Sequence, residues 1–119
     1  MKIIYASDKV EIQCTSLKAA TKLFGGDKKL AVSLLARINA IENSDVIKDI
    51  ISMPPFHFHN LHGKMEGLFA IDVSTRRDKW RIILRPLDEE EHAFDPCHID
   101  EVSTIVRIVE IREVSAHYE

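Results

Sequence analysis

Apolar positions recur along this chain with two different periods, and the change from one to the other falls at Pro54-Pro55. Before the prolines the period is helical. Leu30, Leu34, Ile38 and Ile41 form one stripe with Leu35 beside it, which predicts a helix over 28–42 with Asp27 as its cap. Leu17, Ala20, Leu23 and Phe24 predict an earlier helix over 16–24, capped by Thr15 and ended by Gly25-Gly26. Ser44 is placed to cap a third, short helix through Ile51, and the two prolines stop it, because proline lacks the amide proton and biases its predecessor away from helix. Residues 2–6 are rich in β-formers and predict a first strand. Beyond Pro55 the period becomes two, predicting strands over 56–59, 67–73, 79–85 and 105–112, with Gly63 and residues 75–78 as turns.

Helices followed by strands with short connections indicate an α+β fold, in which N-terminal helices pack on a mainly antiparallel twisted sheet. The 119 residues, 45% of them apolar, predict a single domain over 1–119 with its own core. The stretch 87–103 reads as an extended hairpin connection rather than a domain linker. Cys14 and Cys97 are far apart, no Cys-x-x-Cys occurs and no secretory leader is visible, so the expectation is a reducing, cytoplasmic setting. No apolar run approaches the ~20 residues of a bilayer span, and no membrane association is expected.

Charge changes this picture. The net charge is −3, yet residues 1–85 hold 14 Lys and Arg against 9 Asp and Glu, whereas residues 86–119 hold 2 against 10. A basic partner surface on the first segment, and an acidic one elsewhere, follow from such asymmetry. The run Asp88-Glu89-Glu90-Glu91 is either a solvated loop or an electrostatic screen over a basic site.

The strand period in 80–85 sends Trp80, Ile82 and Leu84 to one face and Arg81 with Arg85 to the other. Two guanidiniums on one rigid strand are suited to multidentate contact with phosphate. Upstream, His57, His59, His62 and Lys64 crowd into eight residues, and His92, Cys97, His98 and Asp100 are further potential zinc ligands. None of the strong zinc-finger or metalloprotease spacings is present, and no metal or cofactor is expected. Gly25-Gly26 lacks the Gly-Lys-Ser/Thr ending of a phosphate loop, and no Gly-x-Ser-x-Gly or Cys/His signature marks a hydrolase nucleophile. His117 and Tyr118 follow the last predicted strand, as a polar tail or as part of a pocket shared with His62.

Taken in order, His59-Asn60-Leu61-His62-Gly63, Gly67-Leu68-Phe69-Ala70-Ile71, Lys79-Trp80-Arg81-Ile82 and His117-Tyr118 resemble the motifs of HigB-type toxins of the RelE/ParE toxin–antitoxin superfamily. The resemblance spans most of the chain. It implies a RelE-like fold and the toxin component of a type II system: a metal-independent endoribonuclease that cuts messenger RNA, ribosome-associated, and neutralised by a cognate helix-turn-helix antitoxin. Contact with DNA would be indirect, through that antitoxin.

Cleaving RNA without metal needs a base for the 2′-hydroxyl proton, cations for charge developing on phosphate, and an acid for the departing 5′-oxygen. The resemblance assigns Arg81 to phosphate stabilisation. His62 stands where the family often carries lysine, and Lys64 is placed to supply the missing charge. His117 and Tyr118, reversed from the family's usual Tyr-His order, become the acid and base or a stacking platform for a splayed base. Arg76, Arg77, Lys79 and Arg85 would add phosphate contacts. Two alternatives stay open. One is a ParE-like, gyrase-targeting or catalytically silent homologue acting by protein contacts, and the other is a small zinc-binding or unrelated regulatory domain.

Overall fold

The computed structural model of the chain describes residues 1–116. Strand β1 (Lys2–Tyr5) leads into helices α1 (Asp8–Thr15), α2 (Leu17–Leu23), α3 (Lys28–Asn43) and α4 (Ile47–Ile51). A 3-10 turn at Pro54–Phe56 precedes β2 (His59–Asn60), and β3 (Phe69–Asp72), β4 (Arg81–Leu87), a short helix α5 (Ile99–Val102) and β5 (Ile108–Ser115) complete the order. The five strands form one sheet in the order β1-β5-β4-β3-β2. β1 runs parallel to β5 and every other pair is antiparallel, so the sheet is mixed. The fold is α+β, with the helices gathered on one face of the sheet.

Local chemistry accounts for the helix boundaries. The side chain of Ser7 accepts the Val10 N–H and starts α1, Ser16 accepts the Ala19 N–H and starts α2, and Asp27 accepts the Leu30 N–H and starts α3. The sequence pattern does not predict α1, and the cap of α2 is Ser16 rather than the expected Thr15, which is the last residue of α1. Its helical stripe contains only Val10 and Cys14 as buried residues, too few to register as a period. α2 ends in a paired-bond cap: the Gly26 N–H donates to Thr21 O at 2.8 Å and the Gly25 N–H to Lys22 O at 3.1 Å. That cap needs a left-handed residue, and Gly25 supplies it at φ +64°. Ser44 closes α3 instead of opening α4, its hydroxyl donating to Ala40 O at 2.9 Å.

Of the predicted strand at 56–59 only His59 enters β2, because Phe56 belongs to the 3-10 turn and His57 adopts φ +48°, which breaks the alternation before pairing begins. The last strand is displaced from 105–112 to Ile108–Ser115. Residues Ile105 and Val106 instead donate to Val102 O as the chain leaves α5, and Val106 O accepts the Ile47 N–H at 3.0 Å. A bulge shifts the β4–β5 register between Ile83 and Leu84, with Ile83 opposite Glu113 and Leu84 opposite Ile111. Arg112 is thus the extra residue, and Val109, Ile111 and Val114 all reach the helix-facing core although their spacing is not a strict two.

The main core lies between the helices and one sheet face, where Leu34, Ile38 and Ile41 of α3 meet Phe69, Ile71, Ile82, Leu84, Val109 and Ile111. Trp80 packs edge-to-face on Phe24 with centroids 4.9 Å apart, tying the entry of β4 to the end of α2. The opposite sheet face carries a smaller cluster in which Leu61, Met65 and Leu68 cover Ala70 and Ile83. Among the described residues no helix is long and apolar enough to cross a membrane.

Leu34 is fully buried, so Leu34→Ala is expected to lower the unfolding free energy by about 3 kcal/mol in urea denaturation, whereas Ile12→Ala, at an exposed position, should change it by less than ~0.5 kcal/mol. Burial pushes the Cys14 thiol up from 9.0 to about 12; the Tyr5 phenol rises from 10.0 to about 12, through burial first and then the charges of Cys14, Glu42 and Glu11. The unfolded chain releases these protons at lower pH than the folded one, so stability should fall as pH rises from about 9 to about 12. Urea midpoints across that range test this, and Cys14→Ala should flatten the decline.

Candidate nucleic-acid interface

The β3–β4 connection, residues 73–80, is held from beneath by a buried ion pair. Asp72 ends β3 and Arg81 opens β4, and the two are direct partners in the antiparallel ladder. Their side chains therefore share a sheet face. Arg81 Nε lies 3.1 Å from Asp72 Oδ1, and the side chains are 11% and 1% exposed. The contact is Coulombic rather than a directed hydrogen bond, because Asp72 Oδ1 accepts none from the described residues. The guanidinium instead donates to the backbone: Nη1 to Asp78 O and Trp80 O, both at 2.8 Å, and Nη2 to Arg76 O at 3.4 Å. Asp78 completes the turn by accepting the Thr75 N–H at 3.0 Å and the Trp80 N–H at 2.9 Å.

Arg81 is thus sealed beneath the turn, and the expectation of an open phosphate clamp at this residue does not describe its geometry. What it holds up is cationic. Arg76, Arg77 and Lys79 are exposed on the turn, and none makes a side-chain ion pair with a described residue. Ser115, at the end of β5, is the ladder partner of Arg81, so the last described strand finishes beside this turn. His117 and Tyr118 lie outside the described residues.

The other expected site residues sit toward the opposite end of the strands. Asn60 pairs with Phe69 and Leu84 lies opposite Phe69, so the 61–68 loop leaves from the end of β3 remote from Asp72. His62 and Lys64 are exposed in that loop, and no hydrogen bond or ion pair joins either to Arg81. Arg85 shares the Arg81 face by strand alternation, one ~13 Å step along β4. It is half-buried in a cavity of about 480 Å³ whose walls include Glu66, Phe94, Asp95 and His98. Its ladder partner Glu110 is engaged by Arg112 at 3.2 Å, and the Arg85 side chain makes no hydrogen bond or ion pair with a described residue.

The acidic run is remote from the basic turn. Asp88 caps its own loop, its Oδ1 accepting the Glu90 and His92 N–H groups at 2.9 Å, and Glu91 Oε2 pairs with Lys2 Nζ at 2.8 Å. This loop follows Leu87, at the far end of β4 from Arg81 and ~20 Å along the strand. Of the two readings, the solvated loop fits; at that distance the charges do not screen the turn.

Arg37, which no sequence motif marks, also supports the connection. From α3 its Nε donates to Asp72 O at 3.0 Å and its Nη2 to Ser74 O at 3.0 Å and Pro55 O at 3.2 Å, with the guanidinium 4.5 Å from the Phe56 ring centroid. Burial lowers its pKa and Asp72 opposes that shift. Asp72 is therefore flanked by two arginines. Its place inside an apolar strand, Phe-Ala-Ile-Asp, was the available signal, since a carboxylate there needs a partner. The rings of His57 and His59 lie 5.1 Å apart, but among the described residues no three His, Cys, Asp or Glu side chains gather to hold a metal ion. Burial also raises the Cys97 thiol.

Removing one partner from this pair strands the other, so Arg81→Ala is expected to destabilise the fold by about 3 kcal/mol whatever its effect on activity. The double variant Asp72→Asn/Arg81→Gln should recover part of the loss. A double-mutant cycle in urea is expected to give a coupling of about 1–3 kcal/mol, and simple additivity would exclude the ion pair as the turn's support. No family model matches this chain, and no curated protein is significantly similar to it.

Proposed function

We propose that the chain is the toxin of a type II toxin–antitoxin pair, a metal-independent endoribonuclease acting on messenger RNA, with the 75–79 turn as its phosphate-binding element. The observation that carries this reading is the rigid turn beside the end of β5, with three exposed cations that form no ion pair with a described residue. The order of motifs from His59 to Tyr118 supports it as a resemblance. Arginine and lysine presented on a fixed turn neutralise phosphates without reading base sequence, which suits an enzyme acting on many messages.

In this reading the base removes the 2′-hydroxyl proton, O2′ attacks the adjacent phosphorus, the P–O5′ bond breaks, and the acid protonates the leaving O5′. The products are a 2′,3′-cyclic phosphate and a 5′-hydroxyl. Arg76, Arg77 and Lys79 stabilise the phosphate charge as it builds. Arg81 is a positioning residue that fixes their backbone. His117 and Tyr118, two and three residues beyond Ser115 in the sequence, are the proton-transfer pair. His62, Lys64 and Arg85 contact the RNA further along the sheet. A helix-turn-helix antitoxin and the ribosome are the proposed partners.

Induced alone, the protein is expected to arrest growth and leave messenger RNA fragments with 2′,3′-cyclic phosphate ends. The triple variant Arg76→Ser/Arg77→Ser/Lys79→Ser should stay folded yet lose cleavage. Its RNA-binding salt slope should fall by about 2, at about 0.7 per phosphate contact on a single strand. Undiminished cleavage by this variant would remove the turn from the site. Growth arrest with intact RNA and damaged DNA would instead establish the gyrase-directed alternative.

A further inference from the structure

One cavity stands apart from the basic turn and is closed on one side by the long connection that follows β4. Its walls are Glu66 and Gly67 from the 61–68 loop, Arg85 from β4, and residues 93–98, and its volume is about 480 Å³. A pocket of that size holds one small organic molecule. Arg85 is half-buried there, and its side chain makes no hydrogen bond or ion pair with a described residue. The side chains of Glu66, Asp95 and His98 are equally unengaged among the described residues. Opposite charges thus border one cavity without pairing with one another.

A half-buried guanidinium calls for an acceptor and a carboxylate calls for a donor, so a matching occupant offers both, on different edges. Arginine never accepts, an ionised carboxylate never donates, and no amide or hydroxyl side chain of a described residue lines the cavity. Heterocycles that place a donor next to an acceptor on one edge, as adenine does with its N6 amine and N7, suit asparagine or glutamine and find no match here. Guanine separates the two kinds. Its O6 and N7 are adjacent acceptors, and its N1–H and N2 amine are adjacent donors. Phe94 and Pro96 supply apolar wall for a flat ring, and Phe94 is itself held by packing on the main core.

We propose that the Arg85 cavity binds a guanine ring, presented as the free base or nucleoside. Arg85 donates to O6 and N7, and Glu66 or Asp95 accepts from N1–H and the N2 amine. The free form fits better than guanine within RNA. The wall segment 93–98 is flanked in the chain by Asp88-Glu89-Glu90-Glu91 and by Asp100-Glu101, which oppose a polyanion but not a neutral nucleoside. Arg85 lies one ~13 Å step along β4 from Arg81, so the ring does not occupy the basic turn. The proposal stands on this cavity alone and does not depend on the nuclease reading; where that reading holds, guanosine and RNA compete for Arg85.

Isothermal titration of the intact chain with guanosine tests it. Guanosine is expected to bind saturably, and adenosine at least about tenfold more weakly. Inosine, which lacks the N2 amine, and 7-deazaguanosine, which lacks the N7 acceptor, should each bind several-fold more weakly than guanosine, and GMP should bind no more tightly. This series uses the unaltered chain, so it decides the matter whatever the folding of the variants. Arg85→Met and the double variant Glu66→Gln/Asp95→Asn should each weaken guanosine at least about tenfold with circular dichroism unchanged. Lys29→Ser, an exposed change on α3, should not. Absence of saturable guanosine binding, equal binding of adenosine, or undiminished binding by either cavity variant would each overturn the proposal. An RNA pentamer with one guanine that binds through Arg85 where guanosine does not would assign the cavity to RNA and overturn it as well, and so would Arg85-dependent binding of a zwitterionic amino acid in preference to guanosine.

Discussion

The contact between Arg81 and Asp72 governs the end of the sheet that carries the exposed basic turn. A carboxylate 1% exposed in a strand demands a cation, and the ladder places Arg81 directly opposite it. Once fixed there, the same guanidinium satisfies three backbone carbonyls of the connection, so that an eight-residue loop with three like charges keeps one shape. Arg37 reinforces the arrangement from α3 by taking the carbonyls of Asp72, Ser74 and Pro55. Repulsion among Arg76, Arg77 and Lys79 would otherwise spread the turn, and the interior pair opposes that spreading through the backbone.

Charge segregated along the chain becomes charge segregated along the sheet. The basic turn enters β4 and the acidic loop leaves it, separated by the length of one strand, and Glu91 is tied to Lys2 at the β1 edge. A net charge of −3 therefore conceals a molecule with a cationic end. Over such distances at physiological ionic strength, a polyanion near the turn responds mainly to the local cations, because the Debye length is about 8 Å.

Some of the fold was legible from residue pattern. The stripe Leu30, Leu34, Ile38, Ile41 with Asp27 before it marks α3 at both ends, because a long amphipathic period and a capping side chain act locally. The alternation in β4 correctly separates Ile82 and Leu84 from Arg81 and Arg85. α1 escaped because two buried residues make no period, and β5 was misplaced because Arg112 bulges out of register and the run 105–107 belongs to the exit from α5. The parallel pairing of β1 with β5 joins residues more than a hundred positions apart, and no local signal encodes it.

The candidate site divides in the same way. Residue identity alone states which side chains bring charge and titratable chemistry: the arginines and lysine of 76–81, the histidines of 57–62, and the acidic run after Pro86. Which of those charges remain available depends on how the strands pair and pack. Arg81 looked like the open cation and is the buried one, while Arg76, Arg77 and Lys79, which read as accessory, carry the exposed charge. The reason is physical: alternation along a strand states which face a residue takes, whereas desolvation and pairing depend on what the neighbouring strand places opposite it. Asp72 is that neighbour, and the ladder pairing of β3 with β4 is what puts it there.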